Sequence, residues 1–122
     1  MNLADILPTS ADTALTQPQL AAKLYGTTEH EGVDSQVNRR RSSAIRKVQE
    51  HIAALRDIGV PVVADERGVW VAQTSQEAIL AYRSLRSRAL GQLRRAAAVK
   101  RTAFRMQRAE AHVETMSLWD VA

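Results

Sequence analysis

Apolar positions divide this chain into short periodic stretches separated by polar breaks. Leu3, Ile6 and Leu7 make one apolar turn closed by Pro8, enough for a brief first helix. Thr9 to Leu15 reads as loop. Thr16-Gln17-Pro18-Gln19 is a helix start: Thr16 can cap, Gln19 can reciprocate from the third position, and Pro18 is tolerated in the first turn. Leu20, Ala21 and Leu24 give that helix its buried face, and Tyr25-Gly26 ends it. Thr27 to Asp34 is polar and acidic, a loop. Ile45, Val48, Ile52 and Leu55 then recur at spacings of three and four, the stripe of an amphipathic helix. Extending that stripe backwards lands on Arg41, which would point into the core. The packed helix is therefore expected from about Ser42 to Ile58, with Ser42 or Ser43 as N-cap. Gly59 stops it and Pro61 keeps it stopped. Val60 to Ala64 and Val69 to Ala72 are β-rich and short, joined through Asp65-Glu66-Arg67-Gly68 as a hairpin.

From Thr74-Ser75-Gln76-Glu77, a second capping box, to about Met116 there is no proline and a single glycine, Gly91. Ala, Leu, Arg and Gln dominate, all good helix formers. A four-three alternation picks out Ala78, Tyr82, Leu85, Ala89, Gln92, Ala96, Val99, Ala103, Met106, Glu110 and Val113. This row fits a coiled-coil-like dimer or an antiparallel helical pair. It also fits a helix that breaks near Gly91 and folds back on its own domain. A second stripe, Ile79, Leu90, Leu93, Ala97 and Phe104, lies beside it. The pattern thus predicts a mainly α fold with a small β-hairpin, residues 1–73 forming one domain and residues 74–122 a long basic helix.

Composition sharpens the question of a partner. The 122 residues hold few aromatics (Trp70, Trp119, Tyr25, Tyr82 and Phe104), so the core must be aliphatic. The absence of cysteine excludes disulfides and thiolate metal sites. No apolar run approaches the roughly 20 residues that span a bilayer, and no signal peptide is expected. The net charge of +4 is uneven: residues 1–34 carry one basic and five acidic residues, residues 35–74 seven and four, and residues 75–122 nine and four. All nine basic residues of the last segment fall between Ala78 and Ala109, a span with no acidic residue. Such a basic tail attracts phosphate and can extend a DNA footprint.

The outer face of the Ile45–Leu55 helix supplies candidate contacts. Arg46 and Lys47 can pair with guanine acceptors, Gln49 with adenine, Ser42 and Ser43 with bases or phosphates, and Glu50 with cytosine. Asn38, Arg39, Arg40 and Arg41 precede the expected cap and suit backbone phosphates, and Arg67 at the hairpin tip can reach a phosphate or an adjacent minor groove. Catalytic chemistry finds no support. His30, His51 and His112 lack ligand or catalytic neighbours, no glycine-rich phosphate loop or nucleophile elbow is present, and carboxylates are scattered. No catalytic residue, metal, cofactor or small-molecule ligand is expected.

Helix, glycine stop, proline and hairpin occur in the order of a winged helix-turn-helix. Residues 14–72 resemble that domain as found in biotin-repressor-type regulators. Leu15-Thr16-Gln17-Pro18-Gln19-Leu20-Ala21-Ala22-Lys23-Leu24 resembles its second helix. Val48 and Ile52-Ala53-Ala54-Leu55-Arg56-Asp57-Ile58-Gly59-Val60-Pro61-Val62 resemble its recognition helix and exit, and Arg67-Gly68-Val69-Trp70-Val71 its wing. With the tail Tyr82-Arg83-Ser84-Leu85-Arg86-Ser87-Arg88-Ala89-Leu90, the whole chain also looks like small winged-helix proteins encoded by bacteriophages of actinobacteria. The first helix is shorter, and the Gly26–Asp34 loop longer, than that family's pattern. No ligand domain follows, so biotin chemistry is not implied. The resemblance implies a noncatalytic regulator binding double-stranded DNA in the bacterial cytoplasm, dimeric through residues 78–113. A phage packaging component of the small-terminase kind and an RNA- or protein-interaction module are the alternatives.

Overall fold

A computed structural model describes the backbone of residues 1–121 and the side chains of residues 1–116. The side chain of Trp119 and the last residue of the predicted 74–122 element lie outside the described residues. Three helices precede an antiparallel hairpin and a final long helix: α1 (Leu3–Ile6), α2 (Gln17–Tyr25), α3 (Ser35–Asp57), β1 (Val62–Asp65), β2 (Gly68–Val71) and α4 (Ser75–Val121). The expected fold class, mainly α with a small β-hairpin and a long C-terminal helix, is what the chain adopts. Compact packing divides it into Met1–Arg83 and Ser84–Ala122. The first turns of α4, as far as Arg83, therefore belong with the hairpin, past the expected boundary at 73.

The capping chemistry read from the sequence is present. Thr16 Oγ1 accepts from the Gln19 amide at 3.3 Å, and Gln19 Oε1 accepts from the Thr16 amide at 2.9 Å. At α4, Thr74 Oγ1 accepts from Glu77 N at 3.2 Å, but the Glu77 carboxylate reaches the amide of Gln73 rather than that of Thr74. Each cap satisfies amides that a helix start leaves without carbonyl partners.

The start of α3 differs from expectation. The helix begins at Ser35 rather than Ser42 or Ser43, and Asp34 is its N-cap, accepting from Gln36 N and Val37 N. Arg39, Arg40 and Arg41 are therefore helical residues. The backward extension does bring Arg41 onto the core stripe, but no core lies beneath it there. Its guanidinium instead reaches the Glu29 carbonyl, Nε at 3.2 Å and Nη2 at 3.0 Å. Asn38 ties the same loop down, its amide side chain exchanging two hydrogen bonds with the backbone of Gly32 at 2.9 and 2.8 Å. The long Gly26–Asp34 connection is thus fastened to the N-terminal half of α3. The buried stripe is also rotated slightly from the expected one: Ala44, Val48 and Ile52 are buried, with Ile45 and Leu55 packed at its edges.

Two small cores sit on opposite faces of the hairpin. Leu3, Leu7, Leu20, Ala21, Ala44, Val48 and Ile52 meet Val62 and Val69 on one face. Val63, Trp70 and Ala72 meet Ala81 on the other, with Ala11, Ala14 and Ala78 alongside. This is the period-two alternation of a strand with both faces covered. The pairing register Val62↔Val71, Val63↔Trp70, Ala64↔Val69 and Asp65↔Gly68 leaves Glu66 and Arg67 as a two-residue turn. Leu15, expected in a loop, forms a β-bridge with Val69, its carbonyl accepting from Val69 N at 2.7 Å. Gly68 lies beneath that bridge. Its φ of 131° is a region L side chains rarely adopt, and a Cβ there would lie 2.7 Å from the Leu15 backbone C and O.

Beyond Arg83, α4 is continuous through Gly91, so the alternative of a break there does not hold. Leu85, Leu93, Val99, Phe104, Met106 and Val113 of this segment are exposed in the single chain. No helix among the described residues is long and apolar enough to cross a membrane.

Candidate nucleic-acid interface

The interface is built on α3 because its inner face is fixed. Val48 is fully buried and Ile52 nearly so, each such side chain contributing about 1.5–3 kcal/mol of burial. Small residues, Ala21 on α2 and Ala44 on α3, are buried in the same cluster. With the inner stripe held, the outer stripe is presented. Arg39, Ser43, Arg46 and Glu50 follow one another at helical spacing and are all exposed, as are Arg40, Ser42, Lys47 and Gln49. Asn38, Arg39, Ser42, Ser43 and Arg46 line a shallow surface concavity.

The cations of this region fall into two groups. Arg39, Arg40 and Arg46 have no hydrogen bond, ion pair or ring contact among the described residues. Their guanidiniums are available to an external acceptor. The others already hold partners. Arg41 is bound to the 27–34 loop, as described, and is half-buried. Lys47 lies with its ammonium 5.3 Å from the Tyr25 ring centroid, at the end of α2. Arg67, at the hairpin turn, lies with its guanidinium 5.0 Å from the Trp70 ring centroid and pairs with Asp65 at 3.0 Å. Burial would raise the Asp65 carboxyl, but the Arg67 side chain and amide, its charge, and the Gly68 amide together hold it below its ordinary range. An ion pair this exposed contributes little to stability. Together with the Trp70 ring, it holds the Arg67 guanidinium in place at the hairpin turn.

Gln49 is the one candidate base reader with a side-chain hydrogen bond among the described residues, its Nε2 donating to Gln17 Oε1 at 2.8 Å. Gln17 opens α2, so this bond sets the start of α2 against the outer face of α3. Gln17 is not among the expected site residues, and Asn38, expected to face phosphates with Arg39–Arg41, binds the Gly32 backbone instead. The position of Gln17 in the first turn after the Thr16 cap is a usable signal. Nothing in the pattern signals the pairing of Asn38 with Gly32, which depends on the loop's path. No group of three or more His, Cys, Asp or Glu among the described residues could hold a metal ion. No family model, no curated protein and no solved structure matches the chain.

Proposed function

We propose that this chain is a noncatalytic, sequence-specific double-stranded DNA-binding protein, working as a dimer in the cytoplasm of a bacterial host cell to regulate transcription or phage development. The observation that carries the reading is the outer face of α3. Three guanidiniums without internal partners among the described residues, Arg39, Arg40 and Arg46, stand with Ser42, Ser43 and Gln49 on a helix whose inner face is locked in a core. An α-helix of about 10–12 Å diameter fits the major groove, and Arg, Gln and Ser are the side chains that read base edges there. In this reading Arg46 and Gln49 discriminate bases, Arg39 and Arg40 hold phosphates, and Arg67 reaches the flanking backbone from the hairpin turn. The 78–113 seam joins two copies, so that two α3 helices meet two half-sites.

Arg46→Ala tests the assignment of roles. On a duplex selected from random sequence, the variant is expected to bind about 1–3 kcal/mol more weakly than the parent chain, with little change on random duplex. An equal loss on both duplexes, measured by titration at one salt concentration, would make Arg46 a phosphate contact and remove it from the reading face.

A further inference from the structure

The Ser84–Ala122 unit carries a second charged surface that the α3 reading does not use. Arg94, Arg101, Arg105 and Arg108 are all exposed. At 100° per residue these four positions fall within a sector of about 60° on the helix. The seam residues Ala89, Gln92, Ala96, Val99, Ala103 and Met106 centre roughly 180° away. A second copy seated on the seam would therefore leave the arginine row facing outward. Arg94, Arg101 and Arg108 have no partner among the described residues, and Arg105 reaches only Thr102 Oγ1 at 3.5 Å. Arg101, Arg105 and Arg108 also line a groove along the helix with Phe104, Gln107 and Ala111.

From these observations we infer that the 94–108 arginine row is a second DNA-contact surface, one that grips the phosphate backbone without reading sequence. The inference rests on the reading that the chain works on duplex DNA. Charge complementarity is its main support. Arg101 and Arg105 stand four residues apart, and Arg105 and Arg108 three, spacings at which like charges oppose helix formation. No acidic residue between Ala78 and Ala109 offsets them. A polyanion laid along the helix does. The row is about 21 Å long, over which a duplex offers about a dozen phosphate charges. Arginine binds phosphate with two parallel hydrogen bonds, and all four positions of the row are arginine. The sector contains no Asn or Gln that would read adenine, and an arginine held at phosphate gives affinity and not choice. The opposite face argues against a membrane surface. An interfacial helix buries a Trp-, Phe- or Leu-rich face, whereas three of these six seam residues are alanine.

The full chain and its R94A/R101A/R105A/R108A variant are titrated onto the selected duplex and onto random duplex over a range of salt. Alanine is the best helix former, so the variant keeps its helix, and far-ultraviolet circular dichroism checks that. Removing one arginine–phosphate pairing should flatten the slope of log K against log salt by about 0.9, and removing all four by roughly 3–4, equally on both duplexes. Replacing the same four positions by lysine should restore most of the slope. An unchanged slope in a folded alanine variant would overturn the inference. So would loss of binding to phosphatidylserine vesicles with the DNA slope intact, which would give the row to a membrane. The two readings fail separately: if Arg46→Ala leaves sequence preference intact while the alanine row flattens the slope, the α3 assignment falls and the phosphate row stands.

Discussion

Gly68→Ala is expected to cost on the order of 3–5 kcal/mol of folding stability, from two causes that add. The backbone at Gly68 has φ of 131°, where an L side chain is strained by about 1–3 kcal/mol. The new methyl would also meet the Leu15 carbonyl carbon and oxygen at 2.7 Å. Those atoms are backbone and cannot swing aside. Relief requires the Leu15–Val69 bridge to open, and with it the 2.7 Å hydrogen bond from Val69 N to Leu15 O. Domains of this size are stable by only about 5–15 kcal/mol, so the loss is a large fraction of the total. Chemical denaturation of the parent chain and the variant checks it. A shift worth less than about 1 kcal/mol would mean that the strand yields and that the close approach of Leu15 is not what demands glycine.

Trp70→Ala carries a comparable expected cost, about 3–5 kcal/mol, for a different reason. The Trp70 ring is buried to 2 % exposure between Val63 and Ala72 on the hairpin and Ala81 on α4, with Ala11, Ala14 and Ala78 around it. It is the one large side chain in a cluster otherwise made of alanine and valine. Short neighbours cannot collapse into the space it would leave. The indole Nε1 is buried with no hydrogen-bond partner among the described residues, so the ring is held by packing and by the Arg67 guanidinium over its face. Trp70→Phe should therefore be mild, at most about 1.5 kcal/mol, because it keeps most of the packing and removes an unsatisfied donor. Denaturation midpoints of the two variants separate the cases. Equal losses would point to the indole nitrogen, through a bound water, and not to ring volume.

These two positions show where the sequence is legible. Gly68 and Trp70 are readable as a turn glycine and a strand aromatic. The hairpin is legible but its register is not: the expected strands, 60–64 and 69–72, flank a four-residue turn, whereas β1 and β2 take in Asp65 and Gly68 and leave only Glu66 and Arg67 between them. The caps at Thr16 and Thr74 are readable because their partners are three residues away, where local chemistry decides. Three further features are not legible, and each depends on groups distant in the chain. The bridge of Leu15 to Val69 is a pairing across more than fifty residues that no local pattern marks. The second core exists because α4 returns Ala78 and Ala81 to the outer face of the hairpin. The early start of α3 is hidden because a hydrophobic stripe marks only the packed part of a helix. Asp34 is as good an N-cap as Ser42, and Arg41 and Asn38 decide between them by binding the backbone of Glu29 and Gly32.

The same correction changes the candidate interface. Arg39, Arg40 and Arg41, expected ahead of the helix as one phosphate-binding run, instead fan around its first turns. Arg41 is diverted to the loop, while Arg39 and Arg40 join Arg46 on an exposed helical surface. The outer face of α3 is therefore about two turns longer than the hydrophobic stripe implies. In the proposed reading, that length lets Arg39 and Arg40 hold phosphates at one end while Arg46 and Gln49 read bases nearer the core.

The claim of sequence-specific duplex binding stands or falls on one comparison. The full chain is titrated onto the duplex recovered by selection from random sequence and onto a shuffled duplex of the same length and composition, at about 0.15 M salt. The account predicts tighter binding to the selected duplex by at least about a thousandfold. Equal affinity for the two would contradict it.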